Sequence, residues 1–171
     1  MRIMNMIQRL KYILVIVALC SMPAVSMADD DKVSAALSSQ IIMPSPELAP
    51  EDVVEIQLLG LKLTKGDSSS IEMQQVWAFA HPSNKAMTGP LARFAKLFDM
   101  PAYRPLLGHT SHQILRLAQS EDYVQMQVQV TGQDSQSYVY LWVVGRATSG
   151  PEAGSWMTLS VSAPAGGGTQ S

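Results

Sequence analysis

Three histidines and a scatter of carboxylates are the residues of this chain whose types can move protons or hold a metal. His109 and His112 stand three positions apart. Metal ligands at that spacing need one face of a helix, whereas in a strand they point to opposite faces. The surrounding GHTSHQIL holds no Asp or Glu to complete a site, so structural or surface histidines are expected there and no metal. His81 precedes Pro82, where a helix must end, and is expected to meet the free carbonyls of that end. Proton transfer by His81 is the alternative. Asp67, Asp99, Asp122 and Asp134 all sit beside turn residues and read as solvated.

Other chemistries leave no trace. There is no Gly-rich phosphate loop, nucleophile elbow, HExxH or Walker motif. No cofactor is implied. Arg93 and Arg104 can hold an anion, although long cationic side chains ordinarily lie along the surface. A formal charge of -2 and a pI near 5.9 argue against a nucleic-acid partner held by a basic surface.

The amino terminus carries an address. Arg2, Arg9 and Lys11 precede the apolar run from Tyr12 to Leu19, Pro23 breaks it, and Ser26-Met27-Ala28 places small residues where a signal peptidase cuts. The run is too short to span a bilayer of about 30 Å. An exported, periplasmic or secreted protein cleaved after Ala28 is expected, without stable membrane insertion. An uncleaved anchor is one alternative; lipidation at Cys20 is another, which the bulky Leu19 before it disfavours. Loss of residues 1–28 removes three basic residues and no acidic ones, moving the charge from -2 to -5 and discarding the single cysteine. Thiol chemistry is then excluded.

After the signal, 29–46 reads as a flexible tether, with a charged Asp29-Asp30-Asp31-Lys32 run and Pro44-Ser45-Pro46, although Ile41-Ile42-Met43 can dock on the body. Residues 47–163 form one domain, and 164–171 a Gly-rich tail. The spacing predicts a helix over 50–65, opened by Pro50 with Glu51, Asp52 and Glu55 and closed near Lys62, Lys65 and Gly66. Val53, Ile56, Gln57, Gly60, Leu61 and Thr64 share its inner side. A second helix is predicted over 71–80, and a short third one after Gly89-Pro90 with Leu91, Phe94, Ala95 and Phe98 inward.

Then the period becomes two. Val124, Met126, Val128 and Val130 alternate with Gln125, Gln127 and Gln129, which predicts a half-buried strand. Residues 109–118, 137–146 and 156–162 read as its companions. The strand over 137–146 is apolar on both faces, so it is expected to be covered on both sides or to line a cavity. In the last strand Met157, Leu159 and Val161 are expected inward. Three helices followed by four antiparallel strands make an α+β domain.

The segments PEDVVEIQLLGLKLTKGD, VWAFAHPSNKAMTGPLARFAKLFDMPAYRPLLGH, YVYLWVV and GSWMTLSV resemble the uncharacterised family known as domain of unknown function 4864, over roughly residues 48–162. That family is similar to the cone-shaped superfamily of nuclear transport factor 2, which implies three helices wrapped on a curved sheet around a pocket. The resemblance implies no catalytic residue. The stretch RATSGPEAGSW is longer than the short charged turn expected before the Gly154-Ser155-Trp156 step. In such a cone the aromatic positions face the pocket, so Trp77, Phe94, Tyr103, Tyr140 and Trp142 become candidate ligand contacts; packing in the core is their ordinary role. The expected function is a non-catalytic module for a small apolar or amphipathic ligand or a protein partner. Two alternatives are a small acid–base enzyme of the ketosteroid isomerase or dehydratase type, using His81 or His109 with a tyrosine, and a module forming homodimers through its sheet. Cone enzymes of that kind use a pocket Asp, and no Asp occupies an interior strand position here.

Overall fold

The structure, a computed structural model, describes residues 40–162. The expected signal peptide, most of the tether and the tail lie outside these residues. Four α-helices precede a four-stranded antiparallel sheet among the described residues, so the domain is α+β.

Helix α1 spans Pro50–Leu63. Its first turn carries Glu51 and Asp52, and the Asp52 carboxylate accepts from Ala49 N–H at 2.8 Å, so charge and an orphan amide are both satisfied there. Val53, Val54 and every residue from Ile56 to Leu61 are buried, while Leu63 is exposed. Gly60 lets α1 approach its neighbour closely: a Cβ there would lie 2.9 Å from Val76 Cγ2 and 3.0 Å from the Glu72 carbonyl oxygen.

Helix α2 spans Ile71–Ala78, capped by Ser70 Oγ accepting from Met73 N–H at 3.1 Å. It stops two residues earlier than the sequence pattern predicts. Phe79 to His81 instead pair with the last strand, through Thr158 N–H to Phe79 O at 2.8 Å and His81 N–H to Thr158 O at 2.9 Å. His81 therefore belongs to the start of the next helix rather than to the end of α2. Its Nδ1 accepts from Ser83 N–H at 3.2 Å and caps α3, Pro82–Thr88. Helix α4 covers Leu91–Ala95, followed by 3-10 turns at Lys96–Asp99 and Arg104–Leu106.

The strands are β1 (Ser111–Gln119), β2 (Tyr123–Thr131), β3 (Ser137–Arg146) and β4 (Trp156–Val161), ordered β1-β2-β3-β4. The inner residues of β2 are all fully buried, as the alternation predicts. In β3, Tyr140, Trp142 and Val144 are buried beneath the helices, but Val139, Leu141 and Val143 are not. The helices cover one face of the sheet, so the second apolar face of β3 meets solvent among the described residues. The ladder aligns Leu115, Gln127 and Leu141 in one row on that outer face.

A bulge between Val143 and Val144 changes the face assignment of β4. Trp142 pairs with Val161 and Val144 with Thr158, which makes Leu159 the extra residue. Thr158 thus turns inward beside Trp142, where strict alternation would have put it outside. Before α1, Ile42 docks on α2: its N–H donates to Gln75 Oε1 at 2.6 Å, and Gln75 Nε2 donates to Ile42 O at 2.8 Å.

Candidate functional site

Between the helices and the β3–β4 edge lies a cavity of about 260 Å³. Leu61, Val76, Phe94, Leu106, Trp142 and Val161 form much of its apolar wall, and no charged side chain lines it. Its polar groups come from Gln57, Asn84, Thr88, Tyr103, Thr158 and Ser160. Met87, 70% exposed on α3, stands where the cavity opens. A thioether there supplies a soft, adaptable rim.

The deep polar groups satisfy one another. Trp142 Nε1–H donates to Thr158 Oγ1 at 3.0 Å, Thr158 Oγ1–H donates to Gln57 Oε1, and Gln57 Nε2–H donates to Val76 O at 2.9 Å. Asn84 Nδ2–H reaches Thr158 O at 3.2 Å, and Thr88 Oγ1–H donates to Asn84 O at 2.7 Å. Tyr103 donates its hydroxyl to Val161 O at 3.2 Å. These bonds spend the donors on protein acceptors, and leave the cavity as an apolar space with a few oxygen lone pairs.

Of the five aromatic residues expected at a pocket, Phe94, Tyr103 and Trp142 line this cavity. Trp77 and Tyr140 do not. The Trp77 ring packs against Phe94 at a tilt of 52°, with centroids 5.0 Å apart, and also meets Gly89 and the Lys85 ammonium. Lys85 also donates to Ala78 O at 3.1 Å, which caps the end of α2, and burial holds its ammonium below the ordinary lysine range. Tyr140 is wholly buried with its hydroxyl committed to Ala102 O at 3.0 Å; burial pushes that phenol well up. Gln57 and Thr158 contribute to the site without having been singled out. Gln57 was visible as an inner residue of α1, whereas Thr158 is carried inward by a bulge that no residue of β4 announces.

Arg93 and Arg104 line no part of the cavity. Arg93 is tied to Met87 O, and Arg104 faces a separate groove with Lys65, Asp99 and Asp134. His81 is occupied with Ser83, whose Oγ lies 2.7 Å from its Nδ1.

His109 and His112 are brought together, contrary to the opposite-face expectation. Strand β1 begins at Ser111, so His109 belongs to the turn before it and escapes the strand period. Its ring is buried, with Nδ1 2.8 Å from Leu106 O and Nε2 2.8 Å from His112 Nδ1. The carboxylate absent from the local sequence arrives from α1: both Glu55 oxygens lie 3.0 Å from His112 Nε2. Burial foremost holds the His109 imidazole below its ordinary range. The ring nitrogens face each other rather than a shared centre, and no cluster of three or more His, Cys, Asp or Glu among the described residues is arranged to hold a metal ion. A shallow polar groove with Lys62, Thr110 and Ser111 runs beside His112.

No helix among the described residues is long and apolar enough to cross a membrane. Comparison of the chain with protein-family models, with curated proteins and with solved structures gives no match.

Proposed function

We propose that this chain is an exported, non-catalytic binding module whose cavity accepts a small, uncharged, apolar or amphipathic molecule. The observation that carries the reading is the cavity of about 260 Å³, walled by apolar side chains with no charged residue among them. A cavity of ~150 Å³ takes benzene, so this one suits an occupant of about ten heavy atoms. An ion is disfavoured, because nothing in the wall would offset its desolvation. The wall also argues against the acid–base alternative. Tyr103 is the one titratable side chain lining the cavity, and both His81 and His109 are engaged elsewhere. The three helices expected from the sequence fall in the ranges of α1, α2 and α4, and their wrapping as a cone, like membership in the family resembled, is part of this proposal.

The test is a titration of the purified mature domain with naphthalene or indole, followed by chemical-shift changes at Phe94, Tyr103 and Trp142. Saturable shifts confined to the cavity wall are expected. Shifts absent at the solubility limit of both probes, or scattered over the surface, overturn the reading.

A second reading has its own observation. Leu115 and Leu141 share a row on the uncovered sheet face, with Leu115 58% exposed and Val139 and Val143 on the same side. Self-association of two copies through this face is checked by sedimentation of the wild type against L115E/L141E. A dimer lost in the variant supports it, and a monomer at high concentration removes it.

A further inference from the structure

The contacts of His109 and His112 admit a count of protons. Four groups lie in a line, Leu106 O, the His109 ring, the His112 ring and the Glu55 carboxylate, joined by three contacts of 2.8, 2.8 and 3.0 Å. Both ends are acceptors only, since a backbone carbonyl and an ionised carboxylate carry no donor. Each of the three contacts needs one hydrogen, so three protons are required between the ends. Two neutral imidazoles bring one each. Whichever tautomers are chosen, two neutral rings leave at least one contact as lone pair against lone pair.

From this count we infer that Glu55, His112 and His109 form a one-proton latch between α1 and the β1 edge, closed when a third proton sits on the His112–Glu55 contact. In the closed form His109 is neutral with its proton on Nδ1, donating to Leu106 O. His112 is protonated on both nitrogens, donating from Nδ1 to His109 and from Nε2 to Glu55. The burial of His109, which disfavours its cation, agrees with the acceptor role given to its Nε2. Release of the proton to water breaks one His112 N–H bond, leaves its electron pair on the ring nitrogen and the proton on the water, and so leaves an acceptor–acceptor contact that parts.

The other charges around the latch are few. From α1, Lys62 lines the groove beside His112, and its cation opposes each added proton, against the attraction of the Glu55 carboxylate. Also on α1, Glu51 is paired bidentately with Arg116 of β1, so that charge is already matched. From β2 the neighbour of His112 is the apolar Val130. The side chain of His112 is 12% exposed and that of Glu55 38%, which leaves the proton a path to water through the carboxylate.

The latch fastens elements that also bound the cavity. Leu106, whose carbonyl ends the chain, and Leu61, whose carbonyl accepts from Gly108 N–H at 2.9 Å, both line it. The latch itself stands on hydrogen-bond geometry alone and does not depend on what the cavity binds.

Long-range 15N–1H spectra of the histidine rings across a pH series test it, in the wild type and in Glu55→Gln. The glutamine amide can donate to His112 Nε2, which closes the chain with two neutral rings. In the wild type, loss of one proton from His112 is expected to coincide with loss of the 15N–15N hydrogen-bond coupling between the two rings or with parting of His112 from Glu55, and with faster amide exchange at Gly108. In Glu55→Gln the ring–ring coupling, the contact to residue 55 and the Gly108 protection are expected to persist together when both rings are neutral. A wild-type His112 that loses its proton while both of its contacts and the Gly108 protection are unchanged overturns the latch. So does a variant that behaves as the wild type. Should Glu55→Gln fail to fold, the wild-type series decides the question alone.

Discussion

Trp142 and Thr158, on adjacent strands, are joined by an indole N–H to hydroxyl bond of 3.0 Å at the floor of the cavity. Thr158 donates its own hydroxyl hydrogen bond to Gln57 Oε1 of α1, so one hydroxyl holds sheet and helix together in a buried place. Replacing Thr158 by Val keeps the shape and strands the Trp142 donor. An unmade buried hydrogen bond costs about 1–3 kcal/mol, and denaturant unfolding of Thr158→Val is expected to show a loss of that size. Thr158→Ser keeps the hydroxyl and is expected to retain most of the stability.

The cavity reading predicts a separation of binding from folding. Val161 lines the cavity and is only partly buried, so a larger side chain at that position enters the space rather than displacing the core. The Tyr103 bond goes to the Val161 carbonyl and survives the exchange. Val161→Phe is expected to weaken naphthalene binding at least tenfold, equivalent to about 1.4 kcal/mol, with unfolding midpoint little changed. Binding at wild-type strength would place the probe elsewhere.

How much of this was open to reading from residue order alone differs sharply between elements. The inner face of β2 and the start of α1 follow from period and capping, because their side chains meet one layer each and the pattern is clean. Helix α3 has no buried residue, so it leaves no apolar period to find. The site suffered from two local events. The β3–β4 bulge turned Thr158 inward, and the start of β1 at Ser111 freed His109 from strand alternation. Glu55 meets His112 across 57 residues, a pairing that no local spacing carries. Among the aromatics, Trp77 and Tyr140 pack with the core, but Trp77 lies against Phe94 and Tyr140 bonds to Ala102 O, and neither lines the cavity.

The close approach of α1 and α2 makes Gly60 a sensitive position. Alanine ordinarily gains about 1 kcal/mol over glycine in a helix interior. At Gly60 the new Cβ would meet Val76 Cγ2 at 2.9 Å and the Glu72 carbonyl at 3.0 Å, and the second of these is backbone. Overpacking costs about 1–3 kcal/mol, so Gly60→Ala is expected to be net destabilising in thermal or denaturant unfolding. Adding Val76→Ala relieves the side-chain half of the clash. The double variant should therefore lose less than the sum of the two singles.

The lowered proton affinity of His109 fixes a sign for acid stability. Its folded form disfavours the cation, while the unfolded chain takes up a proton as pH falls through about 6.5. The unfolded state then binds more protons, so stability drops as the pH is lowered from that point toward the depressed folded value. Measured in a Glu55→Gln background, whose closed chain needs no third proton and which serves as the wild type of this comparison, His109→Gln removes this term. The difference in unfolding free energy between wild type and variant is expected to shrink with acidification, by at most about 1.4 kcal/mol per pH unit. A difference that stays constant across that range would show that His109 takes its proton as readily folded as unfolded.

Gln75 makes the last case, because its buried amide imitates a strand neighbour. It accepts from Ile42 N–H at 2.6 Å and donates to Ile42 O at 2.8 Å, satisfying both backbone groups of one residue. No other side chain position on α2 offers a donor and an acceptor to the same residue of the 40–48 segment among the described bonds. Gln75→Leu keeps the bulk but removes both partners, leaving two half-buried backbone groups to find water. That exchange is satisfied most cheaply by release of the segment. Proteolysis before Pro50 and amide exchange at Ile42 are expected to accelerate, with the α1–α2 core still protected. Protection of Ile42 equal to that of the wild type would mean that the packing of its side chain, and not the amide pair, holds the segment down.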